Sequence, residues 1–216
     1  MSAVFVWMAL GLGLTGGVAT CILSVPVIRE VMQGNRELFV TLFFIESFLV
    51  WGTTLWIEKL SLFRSIVIGL GYAVLNGITW AALFFSFTGE SVAPVFYVSA
   101  ATFVLMGIYG LLTSRDVTRT ENIRRFILTG ILMTFLFNLI VGSHSLCWVT
   151  SLAGIGIFTW LIASDACHIG KMSGYTLPEQ PLCFKNAIQG ALPLYLGFMN
   201  LILFFLRILG IQRQTS

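Results

Sequence analysis

Long apolar runs dominate this chain and limit what it can fold into. A helix needs about 20 mostly apolar residues to cross a bilayer, because every backbone polar group must be satisfied within it. Seven runs approximately meet that length: 3–28, 38–57, 65–87, 92–112, 126–142, 145–167 and 187–209. The sequence therefore predicts an all-α integral membrane protein, a bundle of seven transmembrane helices in a single domain, residues 1–216.

Composition supports this class and excludes others. Charged residues make up 10% of the 216 residues and hydrophobic residues 57%, whereas a soluble domain is about 25% charged. A soluble enzyme, a disordered chain and a disulfide-stapled secreted module are thereby excluded. The first run carries no charge before Arg29 and is too long for a signal-peptide core, so we expect it to remain as the first helix.

The placement of lysine and arginine predicts the orientation of the chain. Counted on alternating sides of the seven runs, eight of these residues fall on one side and four on the other: Lys59, Arg64, Arg115, Arg119, Arg124, Arg125, Lys171 and Lys185 against Arg29, Arg36, Arg207 and Arg213. Basic residues are enriched on the cytoplasmic side, so we expect a cytoplasmic N-terminus. The short termini favour a bacterial inner (cell) membrane. The expected partner is the lipid bilayer, with anionic head groups at the 113–125 loop, and no nucleic acid.

Ionisable side chains within membrane runs are costly, so each is a candidate functional residue. Glu46 lies eleven residues from the inner end of its run, about 16 Å along a helix, and is either a functional carboxylate or a protonated or paired structural acid. Asp165 lies near the cytoplasmic end of the sixth run, with His168 on the same helix face. Asp165 could instead cap the helix or extend to the interface, and His168 could be a solvated interface residue.

Enzyme signatures are not found in the sequence. It contains no G-x-S-x-G, no H-E-x-x-H and no phosphate-binding glycine loop. The four cysteines lack C-x-x-C spacing and, with two histidines, do not form a typical zinc set. We therefore expect no catalytic residue, no structural metal site and no cofactor beyond weak Ca²⁺ binding.

The last run carries a more specific signal. Residues 191–210, ALPLYLGFMNLILFFLRILG, resemble the signature of the transmembrane Bax inhibitor motif family, which reads roughly A-L-[ST]-L-Y-L-D-F-I-N-L-F and then L-L-R-[IF]-[LF]-G. Tyr195, Asn200 and Arg207 match, and Gly197 stands at the aspartate position. Further segments that resemble the family are residues 163–167 (its A-Y-D-T-Q), Tyr109-Gly110 with Thr113 and Asp116, Gly77-Ile78-Thr79, and residues 11–15.

The resemblance implies a seven-helix bundle with the last helix at its centre. Members are described as calcium-leak channels and as suppressors of cell death. In the best-understood bacterial type, two aspartates on the sixth and seventh helices share a proton and close the pore in a pH-dependent way. Asp165 matches the first aspartate, and Lys59 or Arg64 could supply the basic residue that pairs with them. Gly197 replaces the second aspartate, so we expect water or a neighbouring side chain to fill the vacated volume.

Two functions follow from this pattern. The first is a pH-influenced calcium leak involving Asp165, Glu46 and His168, with weak binding because Ca²⁺ prefers six to eight oxygen ligands. The second is a non-channel modulator of a membrane protease, or of a stress or cell-death pathway, acting through helix contacts. The missing second aspartate favours the modulator, whereas the retained acids favour the leak.

Overall fold

A computed structural model shows that the described part of the chain is helical. It describes residues 2–27, 41–42, 44–46, 48–49, 52, 61–87, 89–113, 126–131, 133–134, 137, 141, 144–175 and 180–211. Five long helices lie in these ranges: α1 (Ser2–Ser24), α2 (Leu62–Ser86), α3 (Gly89–Leu112), α4 (His144–Tyr175) and α5 (Gln180–Leu209). The described residues between 41 and 52 and between 126 and 141 are helical as well.

Each of the five helices is long and apolar enough to cross a membrane, as predicted for runs one, three, four, six and seven. Helix α1 ends at Ser24, four residues before the predicted end, because Pro26 disfavours helical geometry at the residue before it. Helix α4 continues eight residues past its predicted end to Tyr175. Its 32 residues span about 48 Å, which exceeds the thickness of a hydrocarbon core of about 30 Å.

Helices α1 and α2 run parallel. The Thr15 hydroxyl of α1 contacts the carbonyl of Ala73, and further along both helices Val18 lies against Gly77. Because contacts advance together on the two helices, their N-terminal ends lie at the same end of the bundle. Two parallel helices that follow each other in the chain need an odd number of crossings between them if both span the membrane.

Helices α3 and α4 also run parallel, and α4 runs antiparallel to α5. Phe87, which precedes α3, lies against Gly210, which follows α5, so the start of α3 lies at the end of α5. Near the end of α3, Gly110 packs against Ala163 in the second half of α4. On α5, Gly190 lies beside Ile169 of α4, whereas Phe204 lies beside Gly154, so the contacts advance in opposite directions. The starts of α1, α2 and α5 therefore share one end of the bundle with the ends of α3 and α4.

Helix α5 packs against each of the other four long helices. In the most apolar 18-residue segment of α5, 67% of the residues are buried, whereas the corresponding share is 17% in α1 and in α3. Its largest fully buried side chains include Leu201 and Leu206, whereas the outer faces of α1 and α3 expose large hydrophobic residues such as Phe5 and Leu105. Apolar residues on an outer face are expected where the surrounding solvent is lipid.

Candidate functional site

Glu46 is buried in the bundle interior, with 4% of its surface exposed. It lies among the helical residues between 41 and 52, and its Oε1 accepts a hydrogen bond of 2.7 Å from the Thr79 hydroxyl of α2. Thr79 is fully buried. A buried acid needs such partners, because removing an unpaired carboxylate from water is costly. The Thr79 bond therefore fixes the position of this carboxyl group between two helices.

The face of α2 that carries Thr79 holds further buried polar side chains. Asn76, one turn earlier, donates from Nδ2 to the Tyr72 carbonyl at 3.2 Å. The Tyr72 ring meets the Tyr195 ring of α5 edge to face, with centroids 5.8 Å apart. Both tyrosine hydroxyls lie close enough to Glu46 to interact with it electrostatically. Polar side chains of two helices thus converge on the Glu46 carboxyl group.

Tyr195 extends this group to α1. Its hydroxyl lies 2.6 Å from the Thr15 hydroxyl, which also lies 2.9 Å from the Gly11 carbonyl and 3.1 Å from the Ala73 carbonyl. Because a hydroxyl has one proton, Thr15 gives its proton to the carbonyls and Tyr195 donates to Thr15. We refer to the following six residues as the polar cluster: Thr15, Glu46, Tyr72, Asn76, Thr79 and Tyr195.

Close packing of α1 on α2 holds Thr15 in the polar cluster. At Gly77 a Cβ atom would lie 2.6 Å from Val18 Cβ and 2.9 Å from the Thr15 carbonyl oxygen. Such distances are well inside van der Waals contact, so the approach of the two helices requires glycine here. Two segments of the family resemblance, residues 11–15 and Gly77-Ile78-Thr79, thus meet at this contact.

The position expected to hold the second aspartate is apolar. Gly197 is buried, and a Cβ atom there would lie 3.1 Å from Ile162 Cγ1. Ile162 itself has no exposed surface. A neighbouring side chain therefore fills the volume beside Gly197, which is one of the two outcomes expected from the sequence. Asp165, half-buried, lies one turn further along α4.

The structure does not bring Glu46 and Asp165 together. Asp165 lies one turn beyond Ile162 on a helix antiparallel to α5, and is therefore displaced toward the N-terminal end of α5. Thr79, the partner of Glu46, lies two turns beyond Tyr72, whose ring meets that of Tyr195. Because α2 is parallel to α5, Thr79 is displaced toward the C-terminal end of α5. At 1.5 Å per residue the two levels differ by about 12 Å along the bundle.

The remaining predicted residues lie at the ends of the bundle. His168 is exposed one turn after Asp165, and Arg64 is exposed in the first turn of α2. The half-buried Arg207 places its guanidinium carbon 5.7 Å from the centre of the Phe204 ring. Lys59, the other predicted basic partner, lies outside the described residues.

A metal site built from ionised ligands is not found in the described part of the chain. No three His, Cys, Asp or Glu side chains gather there. The oxygen bonded to the Glu46 carboxyl group is instead the Thr79 hydroxyl, so this set of hard oxygen ligands carries at most one charge. Such a set can take part in weak, transient cation contact but does not make a high-affinity site.

Sequence reasoning missed three members of the polar cluster that contains Glu46. Thr79 and Thr15 lie in segments that resemble the family, but the sequence assigns neither of them a functional role. Tyr72 carried no signal, because an isolated tyrosine in an apolar run is typical of packing. The available signal was the threonine at the end of each matching segment, since a hydroxyl in a membrane helix needs a partner.

These helices and their polar interior define a membrane protein with several apolar helices. The chain belongs to the Bax inhibitor family, since the family model described as "Inhibitor of apoptosis-promoting Bax1" matches residues 1–214. This confirms the resemblance drawn from residues 191–210.

Relatives from several bacteria cover almost the whole chain. "Inner membrane protein YbhL" of Escherichia coli strain K12 is 33% identical over 214 residues, which are 99% of this chain and 92% of that protein. A Rickettsia prowazekii protein, RP147, is 35% identical over 222 residues, covering 99% of this chain and 90% of its own. A Deinococcus radiodurans protein is 33% identical over 210 residues, with shares of 96% and 88%. The expected membrane class agrees with the apolar helices, and the expected bacterial inner membrane agrees with the name of the Escherichia coli relative.

Proposed function

We propose that the protein is a passive cation pathway along α5, most suited to a slow calcium leak, and not an enzyme. The observation that carries this proposal is the buried Glu46 carboxyl group, held by Thr79 and faced by polar side chains from α2 and α5. Hard oxygen ligands suit Ca²⁺. Few of them are charged, so an ion would bind weakly and leave readily, as conduction requires.

The pathway rests on a proposed topology of seven crossings in a single domain, residues 1–216, with α5 central. The parallel directions of α1 with α2, and of α3 with α4, support one additional crossing between the helices of each pair. The helical residues in runs 38–57 and 126–142 are in the right places to provide them. The starts of α1, α2 and α5 lie at one end of the bundle, and this is the side to which the sequence assigns eight of the twelve basic residues. That distribution supports a cytoplasmic N-terminus.

Asp165 and His168 provide a modest pH influence in this proposal. They lie one turn apart on α4, in the half of the helix that leads to the basic end of the bundle. Position 197 has no carboxyl group to share a proton with Asp165, so the shared-proton switch of a coupled pair is absent. The proposed response of the flux to pH is therefore shallow.

Calcium flux into liposomes containing the purified protein tests this function. We expect a slow flux that differs only modestly between about pH 6 and about pH 8. Glu46→Gln keeps the shape and the Thr79 contact but removes the charge, so it should reduce the flux several-fold. Thr20→Ala, which alters an exposed hydroxyl bonded within α1, is the matched control and should leave the flux unchanged. Absence of flux in the wild-type protein would disprove the leak.

One observation favours a second function, a modulator of a membrane protease or of a stress or cell-death pathway. Position 197 is a glycine, and Ile162 packs against it. The pair of carboxyl groups that the family resemblance associates with opening and closing of the channel is therefore absent. In that case the outer faces of the helices would bind a partner membrane protein. A protein that carries no flux but copurifies with one membrane protein after crosslinking would support this alternative.

A further inference from the structure

Two unpartnered polar atoms lie one turn apart on the inner face of α2. Within the described residues, Asn76 Oδ1 and Trp80 Nε1 are buried without a hydrogen-bond partner. Asn76 has 1% and Trp80 7% of its surface exposed. Residues four apart on a helix are neighbours on one face, and long helical side chains lean toward the N-terminus. Asn76 and Trp80 therefore lie one above the other on this face of α2.

The orientation of the Asn76 amide is set by its other contact. Nδ2 donates to the Tyr72 carbonyl, so a flipped amide would place its oxygen against that carbonyl oxygen. Oδ1 is therefore the free end and is an acceptor, whereas indole Nε1 is a donor only. Leaving these two buried atoms unpaired is costly, because each has lost its hydrogen bonds to water.

We propose that Asn76 and Trp80 hold a buried water molecule between them. A bare cation does not satisfy this pair, because it would bind the amide oxygen but be repelled by the indole N–H group. A water molecule satisfies both, accepting from Trp80 Nε1 and donating to Asn76 Oδ1. Buried waters commonly make about three hydrogen bonds, and the second water proton remains for a further acceptor.

The site adds a hydrated position to the part of α2 that holds Glu46. Thr79, which binds the Glu46 carboxylate, lies three residues after Asn76 and is its neighbour on the helix surface. Water at this level would serve an ion beside Glu46 as a replaceable ligand. The inference depends on the two unpartnered side chains, so it holds whether or not the protein leaks calcium.

Radiolytic hydroxyl-radical labelling of the full-length protein in lipid nanodiscs, without calcium, tests the site. Radicals formed from a bound water oxidise the adjacent side chain even when bulk solvent has no access. Normalised to the reactivity of the free amino acids, Trp80 should be labelled several-fold faster than Phe198. Phe198 is a suitable control because it is equally buried, with 4% exposed, and has no polar atom. Equal normalised rates in the wild-type protein would overturn the proposal.

A variant tests whether Asn76 holds the water. Asn76→Leu has a similar volume but no acceptor, so labelling of Trp80 should fall to the level of Phe198 while Phe198 is unchanged. Undiminished labelling of Trp80 in a folded Asn76→Leu protein would also overturn the proposal. If the variant does not fold, the comparison within the wild-type protein still decides. Loss of the leak in the flux assay leaves this result untouched, so the two proposals fail separately.

Discussion

Helix α5 meets α1 and α2 on one side and α4 on the other, and the two interfaces are built differently. Toward α1 and α2, the Tyr195 side chain contacts the Thr15 hydroxyl and the Tyr72 ring. Tyr195 also interacts electrostatically with Glu46. Toward α4, Gly197 faces Ile162, and a Cβ at Gly154 would lie 2.7 Å from the Phe204 ring. One interface is specified by hydrogen bonds and the other by close apolar packing.

The difference shows where the chain has kept a polar interior. In the related bacterial channels, as the sequence resemblance implies, a pair of aspartates lies between the last two helices. Here that interface is apolar, and the level of Glu46 and its partner Thr79 lies about 12 Å along the bundle from the level of Asp165 at the spacing of helical residues. The polar interior has thus been retained beside α2 rather than beside α4.

The largest effect is expected from placing a carboxylate in the apolar interface. Gly197→Asp adds a side chain against Ile162 and buries an acid without a hydrogen-bond partner, so we expect a loss of about 3–5 kcal/mol. Thermal unfolding in detergent measures this loss. Gly197→Asn has the same shape without the charge and should lose less, which separates the steric contribution from the electrostatic one.

Adding Ile162→Ala to Gly197→Asp should recover part of that loss. The double variant vacates the space for the new carboxyl group, one turn from Asp165. If the protein leaks, the two carboxyl groups should then share a proton, and the flux should follow the two titration steps of a coupled pair. A double variant no more stable than Gly197→Asp would show that Ile162 does not govern this position.

A second prediction breaks the polar interface. Gly77→Ala places a Cβ at 2.6 Å from Val18 Cβ and should separate α1 from α2 at a cost of about 1–3 kcal/mol. Gly71→Ala lies on the same helix with nothing within 4 Å of its Cβ, so it should be neutral or slightly stabilising, because alanine favours helices. Equal unfolding temperatures for Gly77→Ala and Gly71→Ala would contradict the close packing at Gly77.

A third prediction concerns the partner of Glu46. Thr79→Val keeps the volume of the side chain but removes the hydroxyl, which leaves the buried carboxyl group without its described hydrogen bond. We expect a loss of about 2 kcal/mol, measured by thermal unfolding. In the double variant with Glu46→Met, which removes the acceptor oxygen, the two losses should not add, since residues in contact are coupled. Additive losses would mean that the 2.7 Å bond contributes little to stability.

The sequence predicted the membrane class and the family because both depend on local features, namely apolar runs and the segment 191–210. It also identified Glu46, since an acid in an apolar run is costly wherever its helix packs. Its partners were harder to predict, because the Glu46–Thr79 bond joins residues 33 positions apart. The same is true of Ile162, an apolar residue in an apolar run, whose role depends on the register of α4 against α5.

The smallest effect is expected at the outer edge of the polar cluster. Tyr195→Phe removes the hydroxyl that donates to Thr15 but keeps the ring contact with Tyr72. Thr15 retains its contacts with two carbonyl oxygens, so no buried donor is left unpaired, and the expected loss is about 1 kcal/mol. Thermal unfolding of Tyr195→Phe beside Tyr195→Leu separates the hydroxyl from the ring. The leucine variant should lose more, because it also removes the edge-to-face contact. If the phenylalanine variant is as unstable as the leucine variant, the hydroxyl is essential, and hydrogen bonding rather than ring packing specifies this side of α5.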